Sequence, residues 1–134
     1  MRDEKCMVKV NKEFYNGFEG EPEVEFICKI NENIDKFVIW QGYFEGLLAG
    51  CFRDNIKEGG LLHSYINVDG FYDESPWKIP NIAIVIDELS YFRKEKFNTN
   101  CSNMASTIEN LKVELQVFLS NSINKGSDVY IDYN

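Results

Sequence analysis

The sequence offers few side chains of the kinds that carry out acid–base or nucleophilic chemistry. Its single histidine, His63, is flanked by apolar residues in the run Leu61–Ile66. A partly buried imidazole with satisfied hydrogen bonds is favoured there over a general base. A nucleophilic pair of Cys51 and His63 is an open alternative, although no local motif accompanies it. We therefore expect no catalytic residues and no enzymatic activity. The least favoured hypothesis is a small enzyme that uses His63 with a nearby acid or with Cys51.

The cysteines do not have the spacing of a metal or redox site. They lie more than twenty residues apart and form no C-x-x-C pair, at Cys6, Cys28, Cys51 and Cys101. Buried thiols are expected, because two disulfides would need an oxidising compartment. The sequence also lacks an EF-hand loop, a phosphate-binding loop and a nucleophile elbow. We expect no metal site and no cofactor.

Paired carboxylates are the remaining candidates for catalysis. Asp73–Glu74 and Asp87–Glu88 could in principle support glycoside or phosphoester chemistry. Adjacent acids are common in a chain with 22 of them, so these pairs carry little weight.

The charge of the chain limits its partners. A formal net charge of -8 opposes binding to the phosphate backbone, so nucleic acid is not an expected partner. The acidity either keeps the protein soluble or complements a basic protein and accelerates its association. Taken alone, the charge favours the first interpretation.

One segment combines aromatic and acidic side chains. Asp69–Trp77 contains three aromatics among three acids. Aromatic rings dominate interface hot spots, and adjacent carboxylates can pair with the Arg and Lys of a partner. The residues expected to contact a partner are Asp69, Phe71, Tyr72, Asp73 and Glu74. The alternative is that Phe71 and Trp77 are core anchors and the acids a solvated rim.

The pattern of apolar residues predicts a single α+β domain over residues 1–134, with N-terminal strands, several amphipathic helices and a C-terminal strand. Strands are predicted at Met7–Val10 and Val24–Ile30, and an antiparallel hairpin with a long loop could join them. Helical spacing predicts helices over Ile34–Phe52, Leu61–Ile66, Ile82–Phe92 and Ser102–Ile123. A strand at Val38–Trp40 is an alternative to the start of the first helix. Asp128–Tyr133 alternates as a terminal strand does.

Three glycines are regularly spaced within the first predicted helix. Gly42, Gly46 and Gly50 are four residues apart and would share one helical face. Since each costs about 1 kcal/mol relative to alanine inside a helix, another element should pack closely there. A bent or broken helix is the alternative, and whether the glycines pack within the chain or against another chain is left open.

No apolar stretch approaches the roughly 18 residues that a membrane span requires, and the first residues are charged rather than apolar. We expect a cytoplasmic protein without a membrane partner. The sequence does not indicate its oligomeric state.

The middle of the chain resembles an immunity protein of bacterial contact-dependent growth inhibition, a polymorphic toxin system. The resemblance covers Phe37–Phe92 and rests on the aromatics, glycines and acids of Gly42–Gly46, Leu61–Ile66 and Gly70–Trp77. It implies a small cytoplasmic antidote that binds the C-terminal domain of a cognate toxin, often a basic nuclease. Such antidotes either cover the toxin's active site or act outside it. The alternative is a small acidic interaction or regulatory module without a toxin partner.

Overall fold

A five-stranded mixed sheet organises the protein, and a computed structural model describes residues 7–96 and 102–133. The strands are β1 (Val8–Phe14), β2 (Glu23–Ile30), β3 (Asn33–Trp40), β4 (Trp77–Lys78) and β5 (Val129–Tyr133). The helices are α1 (Gln41–Cys51), α2 (Leu61–Asn67), α3 (Ile82–Leu89) and α4 (Ser102–Asn124). Two short 3₁₀ helices, Gly70–Tyr72 and Lys94–Lys96, complete the elements. The predicted α+β class is confirmed.

The strands lie in the order β1-β3-β2-β5-β4. β1 runs parallel to β3, whereas β2 is antiparallel to both β3 and β5, and β4 is antiparallel to β5. Alternation along β2 divides its side chains between the two faces. Val24, Phe26 and Cys28 enter the core, which also contains Leu111 and Leu115 of α4. The helices therefore pack on one face of the sheet.

The predicted hairpin in this sheet is wrong. β1 and β2 do not form a hairpin, because β3 lies between them and pairs with both. Gly17 and Gly20 adopt positive φ in turns of the connection between β1 and β2, which are not neighbours in the sheet. The hairpin instead joins β2 to β3, with Asn31 at φ 54° in its turn.

The predicted helix over Ile34–Phe52 is wrong in its first half. Residues up to Trp40 form β3, as the alternative strand at Val38–Trp40 suggested, and the helix begins at Gln41. The side chains of Phe37, Val38 and Ile39 are all buried because β3 lies inside the sheet. An apolar run that is buried on both faces has no clear period, so helix and strand are hard to distinguish there.

The remaining elements lie close to their predicted positions. α2, α3, α4 and β5 cover the runs expected from the sequence, and Gly126 ends α4 at φ 72°. Cys28 and Cys51 are buried thiols, as expected, whereas Cys6 and Cys101 lie outside the described residues. Within the described ranges, every helix is too short or too polar to cross a membrane.

The glycines of α1 pack within the chain. A methyl group at Gly50 would overlap the ring of Phe92, which follows α3, and one at Gly42 would overlap the ring of Trp40. Gly46 and Gly50 are both buried. The close approach of Phe92 to α1 thus explains why position 50 is a glycine, although glycine destabilises a helix.

We expect Gly50→Ala to destabilise the protein by about 1–3 kcal/mol, because the added methyl group overpacks the core against Phe92. Chemical denaturation measures the change. In a Phe92→Ala background the same substitution should cost much less, because the ring that it meets is gone. An equal cost in both backgrounds would contradict this account.

Candidate protein-binding site

The aromatic and acidic segment is fixed to the core by Phe71. The side chain of Phe71 is only 1% exposed, and its ring centroid lies 5.5 Å from that of Phe44 and 5.8 Å from that of Trp77. The 3₁₀ helix Gly70–Tyr72 places this ring under the sheet end, next to Tyr133 at 5.5 Å. As placed, Phe71 anchors the segment and offers no surface to a partner.

Gly70 brings the segment against α2. Its φ of 62° favours glycine, and a methyl group there would overlap the Ser64 side chain. The Asp69 amide also donates to the Ser64 carbonyl at 3.2 Å. The segment and α2 therefore form two adjoining walls.

These walls enclose a groove of about 690 Å³. Three of the residues that the sequence singled out line it, Asp69, Asp73 and Glu74. The groove also contains Glu58 and His63 from the region of α2, and Trp77 forms part of its wall. We call this feature the acidic groove. The structure thus brings the three predicted acids together and adds a fourth carboxylate that sequence reasoning missed.

The acidic groove has no cationic counterpart of its own. No Lys or Arg lines it, and within the described part of the chain Asp69, Asp73 and Glu74 form no ion pair. Glu58 lies 4.0 Å from the Nε2 atom of His63. No group of three or more acidic, histidine or cysteine residues in the described ranges is arranged to hold a metal ion. The arrangement therefore suits several separate cationic groups better than one bound ion.

Tyr72 points away from the acidic groove, into a cluster on α1. Its hydroxyl donates to the Glu45 carboxylate at 3.2 Å, and the Tyr133 hydroxyl donates to the same carboxylate at 2.5 Å. The Gln41 side-chain amide in turn donates to the Tyr133 hydroxyl at 2.8 Å. We call these four residues the tyrosine–glutamate cluster. No sequence signal marked Glu45, because it lies 27 residues from Tyr72.

The cluster changes the acidity of its tyrosines. Burial raises the pKa of Tyr72, and the charge of Glu45 and its hydrogen bond raise it further. The pKa of Tyr133 is raised by burial and then by its hydrogen bond to Glu45. Burial, followed by the charge of Glu45, also raises the pKa of the nearby Tyr65. The protonated phenols are the form that holds Glu45.

A buried carboxylate, Glu88, lies behind Gly60, which lines the acidic groove. Glu88 is 4% exposed, and its Oε1 atom accepts from the Leu61 amide at 2.8 Å, where α2 begins. Its Oε2 atom has no hydrogen-bond partner among the described residues. Burial raises the pKa of Glu88, although hydrogen bonds from Leu61 and Leu62 oppose the shift. A methyl group at Gly60 would lie 2.5 Å from this carboxylate, so glycine is needed there.

The side chains considered for catalysis differ in their exposure to solvent. The His63 side chain is 39% exposed at the acidic groove, whereas Cys51 is fully buried in the core. Asp87 pairs with Arg53 at 3.2 Å, and its neighbour Glu88 is buried. Of the two acidic pairs considered for catalysis, Asp73–Glu74 is the one that lines a groove.

Comparisons of the chain with protein-family models, with curated proteins and with solved structures found no match.

We expect the Tyr72→Phe/Tyr133→Phe variant to lose part of the pH dependence of stability above about pH 10. Both tyrosines have folded pKa values above the unfolded value, so the unfolded chain loses their protons first and wild-type stability falls as pH rises. Urea denaturation between about pH 8 and pH 11 measures this slope. Tyr43→Phe is the control, since Tyr43 lies outside the cluster. An equally steep fall in the cluster variant would contradict the assignment.

Glu88 should lower the stability of the wild type as the pH rises above about 4.5. Its folded pKa is raised, so its contribution is fully present below the unfolded value of about 4.5 and is lost as pH rises through the folded value. The free energy of unfolding of Glu88→Gln, minus that of the wild type, should therefore increase with pH. The increase is about 1.4 kcal/mol for each unit by which the pKa is raised. A difference that does not vary with pH would rule out a raised pKa.

Proposed function

We propose that this chain is an immunity protein that binds and neutralises a cognate toxin domain, with a basic nuclease as the class of toxin that fits best. The observation that carries the proposal is the acidic groove. Its four carboxylates, Glu58, Asp69, Asp73 and Glu74, surround a space without Lys or Arg. The resemblance of the middle of the chain to immunity proteins of contact-dependent growth inhibition supports the same function.

Electrostatics gives such a protein a physical advantage. Because the chain carries a net charge of -8, it attracts a cationic domain over long range and accelerates the encounter. A basic nuclease must display Lys and Arg in order to bind phosphates. Carboxylates that pair with those side chains compete directly with the nucleic acid.

The groove also supplies contacts that act after the encounter. Trp77 forms part of its wall, and an aromatic face attracts a guanidinium or ammonium group. Asp73 and Glu74 are exposed, so they can pair with a partner without first leaving a buried environment. Slow dissociation would then depend on the desolvated contacts at the centre of the interface. We place the site of action in the cytoplasm of the producing bacterium.

The first test is binding to the product of the gene directly upstream, because immunity genes follow their toxin genes. A complex of the two purified proteins, together with protection of cells that express the toxin, is expected. Neither complex nor protection would overturn the proposal. A complex with a partner that is not toxic would instead identify an acidic interaction module of another kind.

We expect Asp73→Asn/Glu74→Gln to slow association with the toxin domain about tenfold at low salt and to flatten its dependence on salt. Stopped-flow or surface-based kinetics measure the rate constants. Glu13→Gln/Glu32→Gln removes the same charge from exposed positions outside the groove and serves as the matched control. If both variants slow association equally, net charge alone is responsible and the groove is not the contact surface.

A further inference from the structure

The described helices leave one face of the sheet uncovered. Along β2 this face carries Glu23, Glu25, Ile27 and Lys29, which alternate with the core residues of the same strand. The strand registers place further side chains beside them, namely Val8, Val10, Ile34, Lys36, Val38, Trp40, Tyr130, Asp132 and Lys78. None of these thirteen residues belongs to the core cluster. We call them the open face.

The open face is more apolar than a solvated sheet face usually is. An antiparallel sheet with one wet side normally carries polar residues there. Here Val8 and Val10 are 54% and 44% exposed, and Ile27 and Ile34 are only half-buried. Val38 and Trp40 are the exceptions, because Val38 is only 2% exposed and Trp40 stacks on Phe18. The uncovered apolar surface is the part around Val8, Val10, Ile27 and Ile34.

The charges of the open face separate along the strands. Glu23 and Glu25 lie at one end of β2, where Asp132 is the neighbour of Glu25 on β5. Lys29 lies at the other end of β2, and Lys36 and Lys78 lie in the row of Ile27, towards that end. One end of the face is therefore acidic and the other basic.

Among the described residues, the charges at the two ends of β2, Glu23 and Lys29, are left without an ion pair, and Asp132 accepts from the Ser75 hydroxyl instead of pairing with a cation. Lys36 pairs with Glu25 at 3.5 Å, and Lys78 pairs with Asp128 at 3.3 Å. Within the described ranges, neither Lys29 nor Glu23 has an ion-pair partner. Burial, together with the hydrogen bond and charge of Glu25, raises the pKa of Glu23, whereas Lys12 and Tyr15 lower it. A cation near Glu23 would relieve this crowding of carboxylates.

A second copy of the chain can supply that cation. Two identical faces can stack about a two-fold axis that lies between them and is perpendicular to the strands. Each strand then lies over the same strand of the other copy and runs in the opposite direction. The basic end of one face then covers the acidic end of the other. Because Glu23 and Lys29 are on the same strand, the contact between Lys29 and the second Glu23 occurs twice.

We propose that the open face is a self-association surface on which a second copy of this chain stacks, with Lys29 of each copy over Glu23 of the other. Ile27 and the exposed valines of β1 lie between the two charged ends and are covered by the second copy. Stacked sheets lie about 10 Å apart, which is a distance that opposed Lys and Glu side chains can span.

The size of the face sets the strength of the dimer. The five strands have 7, 8, 8, 2 and 5 residues, so at about 3.3 Å per residue and about 4.8 Å between strands they cover roughly 480 Å² per copy. Stable interfaces bury about 800 Å² per partner, so this one is at the weak end. Since each copy also carries a net charge of -8, the dimer should form only at high protein concentration.

Sedimentation equilibrium of the full chain up to about 1 mM tests the proposal, because a weak interface of this size associates in that range. The wild type should shift with concentration from 15.6 kDa towards twice that mass. Lys29→Glu and Glu23→Lys should each stay monomeric, because each opposes like charges across the axis. An equimolar mixture of the two variants should form a heterodimer, since Glu then faces Lys at both contacts.

Lys57→Glu and Glu114→Lys are the matched controls, because they make the same changes of charge outside the open face and should dimerise like the wild type. Circular dichroism checks that every variant is folded. A wild type that is monomeric at every concentration overturns the proposal. So do single variants that dimerise normally, or a mixture that does not associate. None of these residues lines the acidic groove, so failure here would leave the proposed function standing.

Discussion

The burial of Phe71 is the interaction on which the candidate site depends. Its ring is surrounded by the aromatic side chains of Phe44, Trp77 and Tyr133, and it is the fixed point of an otherwise exposed segment. A buried phenylalanine contributes about 3–5 kcal/mol, which is a large share of the stability of a domain of this size. The segment therefore cannot move away from the core without loss of much of that stability.

This anchor explains why adjacent residues serve different surfaces. On either side of Phe71 the chain must leave the core, so Asp73 and Glu74 reach the acidic groove while Tyr72 reaches Glu45. The two surfaces also treat charge differently. The exposed acids of the groove are solvated at little cost, whereas Glu88 behind the groove wall is buried and depends on the Leu61 amide for its main compensation. The carboxylates of the acidic groove are therefore exposed to solvent, whereas the carboxylate of Glu88 is buried.

Sequence reasoning succeeded where the pattern of side chains is local. β2 and β5 alternate and α4 has a continuous apolar stripe, so all three elements were predicted. It failed for β3 because the run Phe37–Ile39 is buried on both faces and lacks a period, and no residue separates the strand from α1. The parallel pairing of β1 with β3 depends on contacts between distant residues, which turn chemistry at Gly17 cannot reveal.

The candidate site was also predicted only in part from the sequence. The segment that carries Asp69, Asp73 and Glu74 has a distinctive composition, so it was found from the sequence. Its partners come from other elements. Glu58 and His63 reach the groove because α2 packs beside Gly70, and Glu45 reaches Tyr72 because α1 packs beside the last strand. Such neighbours follow from tertiary packing and not from spacing along the chain.

The relation between the two proposed surfaces decides how they could act together. The open face lies on the side of the sheet opposite the helices, whereas α2 and α3 contribute residues to the acidic groove. A dimer that stacks through the open face leaves both grooves on its outside, each complete within one chain. Each copy could therefore bind its own toxin domain, and a complex of two chains with two toxin domains follows at the high protein concentration at which the dimer forms. The grooves share no residue with the stacking contact, so toxin binding needs no change in the dimer. The affinity for the toxin domain should therefore be the same in the monomer and in the dimer.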